Sequence, residues 1–292
     1  MRPAWMERPS VVTRALKPVV LVFVVVVTLF PFWEVVAVSF ASDLDVLRGG
    51  LIVFPAHASL VAYESILRSA IVVHSLFVSV GVTIAGTAMS MLLTATMAYA
   101  LTRTRDVPGI RFVLFMVLGT LLFSPGIIPT FLVVKQLGLL NTYASLVLPS
   151  AVSAFNLVVL RQFFISIPSE LFDSARIDGA NDVQILTRLV LPLSRAVLAV
   201  IALFYAVAIW NEYFNALLYL NDAAMWPVQL VLRQYVLVGS PLADLHGVSE
   251  VPPPAESIRM AVVVLGTLPI VLVYPFLQRY FTRSVLTGAI KG

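Results

Sequence analysis

The 292-residue chain has no cysteine and only three histidines. A disulfide framework and a thiolate-ligated metal site are therefore excluded, and the imidazoles are too few for a dedicated zinc centre. Charge is also scarce. Asp, Glu, Lys and Arg make up 12% of the residues, against roughly a quarter in soluble domains. No Gly-x-x-x-x-Gly-Lys-Ser/Thr loop is present to cradle a nucleotide phosphate, and no nucleophile–base or metal-ligand set converges. Internal repeats and low-complexity linkers are missing too. What remains is apolar: 60% of the chain is hydrophobic, far too much for a solvated coil. The composition is that of a polytopic membrane protein.

The spans follow from gaps between formal charges, because a bilayer core takes about 20 apolar residues per helix. Lys17 to Glu34 opens the first apolar run, which continues to Phe40. Arg68 to Arg103 encloses 34 uncharged residues, one long tilted span rather than two. Arg111 to Lys135 leaves 23, Lys135 to Arg161 leaves 25, and Arg259 to Arg279 leaves 19. From Arg195 a further apolar stretch runs through Glu212 to Leu220. The expected architecture is all-α and integral to the membrane, one domain over 1–292. Its six spans lie near 18–40, 71–102, 111–134, 143–164, 193–220 and 259–281. A loop at 165–192 joins spans four and five.

Fourteen of the nineteen Lys and Arg residues then fall on the side of the two termini, which the positive-inside bias makes cytoplasmic. The net charge of +4 thus reflects topology and contact with lipid rather than a nucleic-acid surface. Residues 223–243, mostly apolar with Arg233 in the middle, would place Arg279, Arg283 and Lys291 outside if they formed a seventh span. Pro227 and Pro241 suit an interfacial or re-entrant helix instead. The N-terminal Arg-rich flank and apolar run imitate a secretory signal. The run is too long, and Glu34 interrupts it, so it is expected to stay as the first span. Pro252-Pro253-Pro254 is expected to be a stiff outer-loop element before the last span.

The loop between spans four and five concentrates acid: Glu170, Asp173, Asp178 and Asp182, alternating with Arg176 and Arg188. Pro168-Ser169-Glu170 predicts a helix start. Asp173 to Ala180 predicts a helix with Gly179 at its end, and a second short helix from Asp182 runs to Leu191 before Pro192. This compact helix–turn–helix would present Ser174, Ala175, Gly179 and Ala180, small enough for another protein to approach closely. A solvated loop with a few caps is the bland alternative.

Asp173-Ser174-Ala175, three residues, Gly179, nine residues, then Leu189-Val190-Leu191-Pro192 resembles the coupling-loop motif of ABC-importer permeases. That family usually has Glu-Ala-Ala, three residues, Gly, nine residues, Ile-x-Leu-Pro. Here Asp173, Ser174 and Leu189 are mild departures in size. Lys135 to Thr142, Trp210-Asn211-Glu212-Tyr213-Phe214-Asn215-Ala216-Leu217 with Tyr219-Leu220-Asn221-Asp222, and the tail from Gln278 to Gly292 are similar to carbohydrate-uptake permeases. In that tail Arg283-Ser284 replaces the usual Lys-Gly-like pair. Trp226 to Arg233 resembles the subgroup that imports alginate, aldouronates and other acidic or complex oligosaccharides.

The resemblance implies a pore subunit in the bacterial cytoplasmic (inner) membrane, paired with a second, non-identical permease and served by a periplasmic binding protein. Two copies of an ATPase subunit would hold the ATP and Mg; this chain would carry no cofactor. Asp173, Ser174, Ala175, Asp178, Gly179, Ala180, Leu189 and Pro192 would couple to the ATPase, and Gly288, Lys291 and Gly292 would reach toward it. Closure of the ATPase pair would turn the spans from inward- to outward-facing, passing a saccharide to the cytoplasm.

For the substrate pathway, Trp210, Asn211, Tyr213 and Asn215 combine aromatic faces with amides. Asn211 and Asn215 would share a helical face by their i, i+4 spacing, although an amide pair can equally join helices. Glu34 and Glu212 sit near the outer ends of their spans, where snorkelling is the simpler reading. Ser153 and Asn156 are pathway or packing residues in the fourth helix. Ser124-Pro125-Gly126 with Pro129 is expected to break the third span, and His74 to be interfacial. Few cations lie within the spans, so guidance for an anionic sugar is expected from the partner permease or the binding protein. A proton-coupled secondary transporter of small solutes is the other class to weigh. It would bury carboxylates or His near mid-membrane, whereas the acids here lie at span ends and in one loop.

Overall fold

The computed structural model describes residues 11–102, 108–237 and 256–289. Among these, regular structure is helical apart from one isolated antiparallel bridge between Ala41 and Ala58. The chain divides into two compact units, residues 1–69 with 234–266 and residues 70–233 with 267–292.

In the first unit, α1 (Val11–Ser39) leads to two short helices, α2 (Asp43–Leu47) and α3 (Val61–Arg68). Nearly every α1 side chain from Leu16 to Trp33 is exposed. Water would not tolerate so large an apolar surface; a lipid phase does. The connection after α1 is folded rather than solvated. Ser59 N–H donates to the Phe40 carbonyl at 2.8 Å, and Ser42 N–H donates to the His57 carbonyl at 3.2 Å. Trp33 Nε1 donates to the Val53 carbonyl at 2.8 Å, and its ring meets Phe54 edge-on. Ser39 Oγ lies 2.7 Å from the Tyr63 hydroxyl. The buried Asp45 carboxylate accepts the His57 backbone N–H at 2.8 Å and lies 3.3 Å from His57 Nδ1. That backbone hydrogen bond above all, against an opposing effect of burial, holds the Asp45 carboxyl below its usual value.

In the second unit, α4 (Ala70–Ala100) is an unbroken 31-residue helix. The third expected span is split into α5 (Ile110–Leu122) and α6 (Ile127–Gln136), as Ser124-Pro125-Gly126 predicts. Gly126 adopts φ +81° there, a conformation that glycine alone takes without strain. The fourth span is α7 (Ala144–Val147), a 3₁₀ turn at Leu148–Ser150, and α8 (Ala154–Ile165), bent by 54°. Pro149 has no N–H to continue the ladder. The freed Ser153 N–H donates to the Tyr205 hydroxyl at 2.9 Å, which in turn pairs with Thr94 Oγ1 at 2.7 Å.

After α8 come α9 (Ser169–Ile177), α10 (Asp182–Gln184), a π-helical stretch at Ile185–Val190 and α11 (Leu191–Leu193). The chain then turns by 87° into α12 (Arg195–Trp210). The fifth span breaks once more before α13 (Phe214–Tyr219). The spans expected at 143–164 and 193–220 from the gaps between charges are each interrupted, because proline and short polar side chains take over backbone partners at the breaks. α14 (Val228–Leu237) and α15 (Glu256–Ala289) complete the set. The ten described residues of α14 rise about 15 Å; residues 238–243 and the triple proline lie outside the described residues, and the re-entrant or interfacial reading of 223–243 stays an expectation.

α4, α8 and α12 form the core of this unit. Toward the 165–192 segment it buries Ala98, Tyr99, Leu157, Leu160, Phe164, Ile185, Val190 and Ile201. At the far end Leu146, Ala216, Leu220 and Leu230 pack together. Gly86 sets the approach of α4 to its neighbours: a Cβ there would lie 2.9 Å from Ile209 Cδ1 and 3.1 Å from Val147 Cγ2. Small residues serve this purpose in lipid, where close packing rather than exclusion of water joins helices. By length and composition, α1 (from Leu16), α4 and the Glu256–Val273 part of α15 can each cross a bilayer singly.

Candidate functional site

The 165–192 segment is built as one rigid elbow. Pro168 precedes α9, where its fixed φ suits a helix start. The end of α9 is closed by two backbone bonds. Gly179 N–H donates to the Arg176 carbonyl at 3.0 Å, and Ala180 N–H reaches back to the Ala175 carbonyl at 2.9 Å. This is a Schellman closure, and it requires a left-handed residue at its centre. Gly179 supplies it with φ +79°. The next helix starts two residues later on a capping box: Asn181 Oδ1 accepts the Gln184 N–H at 2.9 Å, and Gln184 Oε1 accepts the Asn181 N–H at 2.9 Å. Pro192 explains the π stretch before it. Its ring and missing N–H conflict with a regular turn onto the Arg188 carbonyl, and a widened turn relieves the conflict. The second helix therefore runs past Pro192 to Leu193, two residues beyond the expected end.

The elbow is fixed to the spans. Ile185 and Val190 are fully buried among Ala98, Tyr99, Leu160 and Phe164, and Phe172, Ala175, Ala180 and Leu189 pack against the same cluster. The Tyr99 hydroxyl donates to Asp182 Oδ1 at 2.9 Å, and Arg161 Nε donates to the Leu101 carbonyl at 2.9 Å, closing the end of α4. What faces outward is Glu170, Asp173, Ser174, Asp178, Gly179 and, above all, Ile177, which is 86% exposed. The expected small-residue face is thus divided. Ser174 and Gly179 are presented, while Ala175 and Ala180 point into the core and let the turn sit close to it. Pro192 is exposed beside the half-buried Leu189. Gly288 lies in the last turn of α15; Lys291 and Gly292 fall outside the described residues.

The second group of candidates lies around the break in span five. Asn211 and Asn215 do not share a helical face, because the helix stops between them. The Asn211 side chain donates back to the Val207 carbonyl at 2.9 Å, and Glu212 Oε1 accepts the Asn215 N–H at 3.0 Å. Two side chains thereby hold open the gap at residues 211–213. Tyr213 and Asn211 are exposed there. Trp210 is buried and lines an apolar cavity of about 240 Å³ with Val80, Thr83, Ile84, Val207 and Ile270. Ser153 is the cap of α8, and the buried Asn156 donates its N–H to Ser153 Oγ at 3.4 Å, so both are engaged in the bend of span four.

Sequence reasoning missed three features. A row of hydroxyls, Ser75, Ser79, Thr83, Thr87, Ser90 and Thr94, runs along α4 at three- and four-residue spacing; that spacing was readable and was passed over. Ser79 Oγ accepts the Val228 N–H at 2.7 Å, fixing the start of α14. Asn141, at φ +57°, accepts the N–H groups of Asn221 and Asp222, each at 3.1 Å, and donates its own N–H to the Tyr219 carbonyl at 2.8 Å. Two segments eighty residues apart are clasped in this way. His74 Nε2 sits 2.9 Å from the Ala224 carbonyl at the same end. Third, the Arg233 guanidinium lies over the Tyr213 ring, 5.6 Å from its centroid. No local pattern links residues twenty positions apart.

Comparison with known proteins places this architecture. Residues 107–287 match the family described as binding-protein-dependent transport system inner membrane component. The polygalacturonan/rhamnogalacturonan transport system permease protein YtcP of Bacillus subtilis (strain 168) is 50% identical over 91% of this chain and 93% of its own length. Protein LplC of the same organism is 44% identical over 91% and 90%. A bacterial ABC transporter involved in the import of the acidic polysaccharide alginate has a chain of the same fold, with a TM-score of 0.86 at 29% identity, covering 94% of this chain and all of that one. The chain therefore belongs to the binding-protein-dependent inner membrane components, the multi-pass permeases of bacterial ABC importers.

Proposed function

We propose that this chain is one of two pore subunits of an ATP-driven importer that carries uronate-containing oligosaccharides from periplasm to cytoplasm by alternating access. Alginate and polygalacturonan exemplify the substrate class. The pore would have six spans, with the split third, fourth and fifth each counted as one, and both termini in the cytoplasm, where the cation bias puts them. The Pro168–Pro192 elbow then lies on the cytoplasmic face and docks α9 in an ATPase subunit. Two copies of that subunit hydrolyse ATP, a second permease closes the pore, and a binding protein delivers the sugar from outside. The tail from Gly288 to Gly292 runs toward the ATPase pair.

One observation carries the coupling role. The elbow is fixed to the ends of α4, α8 and α12 by buried Ile185 and Val190 and by the Tyr99–Asp182 hydrogen bond, while its outer face stays open. A push on α9 is thus delivered to three spans at once rather than absorbed by a hinge. The substrate class is supported by the two relatives whose names specify acidic polysaccharides. The test is uptake of oligogalacturonate or oligoalginate into vesicles containing both permeases, with the ATPase and binding protein supplied. ATP-dependent accumulation supports the reading; accumulation that persists without the ATPase subunits, or that follows a proton gradient, contradicts it.

A further inference from the structure

Arg233 sits in α14, beside the break in span five. Ser79 fixes the first turn of α14, whose Leu230 packs with Ala216 and Leu220. Val228, Leu230, Val231 and Leu232 are all buried. The next residue is a half-buried arginine, and among the described residues no carboxylate lies within 4 Å of its guanidinium. A cation at such a place is expensive unless something pairs with it. The Glu212 carboxylate accepts the Asn215 N–H and makes no ion pair with Arg233 within 4 Å. What holds Arg233 is the face of Tyr213, 5.6 Å away, itself exposed in the break at residues 211–213. A cation–π contact of this kind attracts the guanidinium without using its N–H donors, which stay available to take a carboxylate through two parallel hydrogen bonds. Irregular backbone at membrane depth is tolerated where it lines protein or a cavity. The exposed Asn211 amide in the same break offers hydrogen-bonding capacity toward sugar hydroxyls.

We infer that Arg233, held by Tyr213, is the cationic element that recognises uronate carboxylates on the translocated saccharide. This departs from the expectation that cationic guidance would come from the partner permease or the binding protein. It rests on the import reading above and goes further by assigning acid selectivity to this chain.

The test is made in vesicles holding the complete transporter, comparing trigalacturonate with its methyl ester. Arg233→Gln should lower the initial import rate of the free acid about tenfold or more, the size expected for a lost charge-assisted pair. Arg233→Lys, which keeps the charge but not the fork, should lower it less. Methyl-ester import should stay at the wild-type rate. Unchanged import of the free acid by Arg233→Gln overturns the assignment. So does an equal fall for acid and ester, which is the result if the guanidinium serves packing or a lipid phosphate instead. If the wild-type protein carries only the free acid, equal losses in Arg233→Gln and Arg233→Lys overturn it, and a graded loss supports it. Failure of the wild-type transporter to import either compound contradicts the import reading itself, a result distinguishable from all of these.

Discussion

Replacing Gly179 by alanine isolates backbone strain in the elbow. At φ +79°, a Cβ on this residue meets nothing within 4 Å, so no steric clash is added. The penalty is conformational, about 1–2 kcal/mol for an L-residue held in the left-handed region. That corresponds to a roughly 5–30-fold shift in the population of the closed turn. Opening releases the Ala180–Ala175 bond and swings α9 relative to the second helix. Gly138 provides the matched control. It closes α6 with the same pair of backbone bonds, Gly138 N–H to Lys135 at 3.0 Å and Leu139 N–H to Val134 at 3.1 Å, at φ +69° and with nothing within 4 Å of a Cβ. Intrinsic strain is therefore alike at the two sites, and only one of them lies in the elbow. Substrate-stimulated ATP hydrolysis of the reconstituted complex should fall several-fold in Gly179→Ala and stay near wild type in Gly138→Ala. Gly179→Pro, with φ fixed near −65° and its N–H removed, should abolish coupling. Wild-type import by Gly179→Pro, or equal uncoupling by the two alanine variants, would refute the reasoning.

Gly86→Leu should disrupt the packing of α4 on α12, since even a Cβ comes within 2.9 Å of Ile209; overpacking of this kind costs about 1–3 kcal/mol, read as a lower melting temperature in detergent. Tyr205→Phe removes the partner of both Ser153 N–H and Thr94 Oγ1. A loss of about 1–3 kcal/mol is expected for each buried group left unpaired, measurable by thermal unfolding. Asp45 has a lowered carboxyl pKa when folded, so its contribution is fully present above the unfolded value of about 3.9 and fades as pH falls through the lower folded value. Hydrogen exchange of residues 40–59 should accelerate on acidification across that range, and Asp45→Asn should remove the dependence.

How much was legible in advance varied with the range of the interaction. Gly179 and Pro192 act within a few residues, so their spacing announced a helix end and a stop, and the structure supplies the Schellman closure and the π turn that explain them. The split at Ser124-Pro125-Gly126 was legible for the same local reason. Long-range partners were not. Ala175 and Ala180 read as a surface because smallness does not reveal which side of a helix is covered; only the packing of Ile185 and Phe164 shows it. The break at residues 211–213 was hidden because the span was run through Glu212 to Leu220, while Asn211 and Glu212 end and restart the helix through side-chain bonds that a count of apolar residues ignores. Asn141 and Arg233 act across eighty and twenty residues, and one sequence has no means of pairing them with Asn221 or Tyr213.

The central claim is that the outer face of α9 docks on the ATPase, and a single crosslink tests it most directly. The chain has no native cysteine, so Ile177→Cys places one reactive thiol at the most exposed large apolar side chain of the elbow. In the assembled transporter it should form an adduct with the ATPase subunit, whereas Gly138→Cys, outside the elbow, should form none. Absence of the Ile177→Cys adduct, or equal adducts from both positions, would contradict the account.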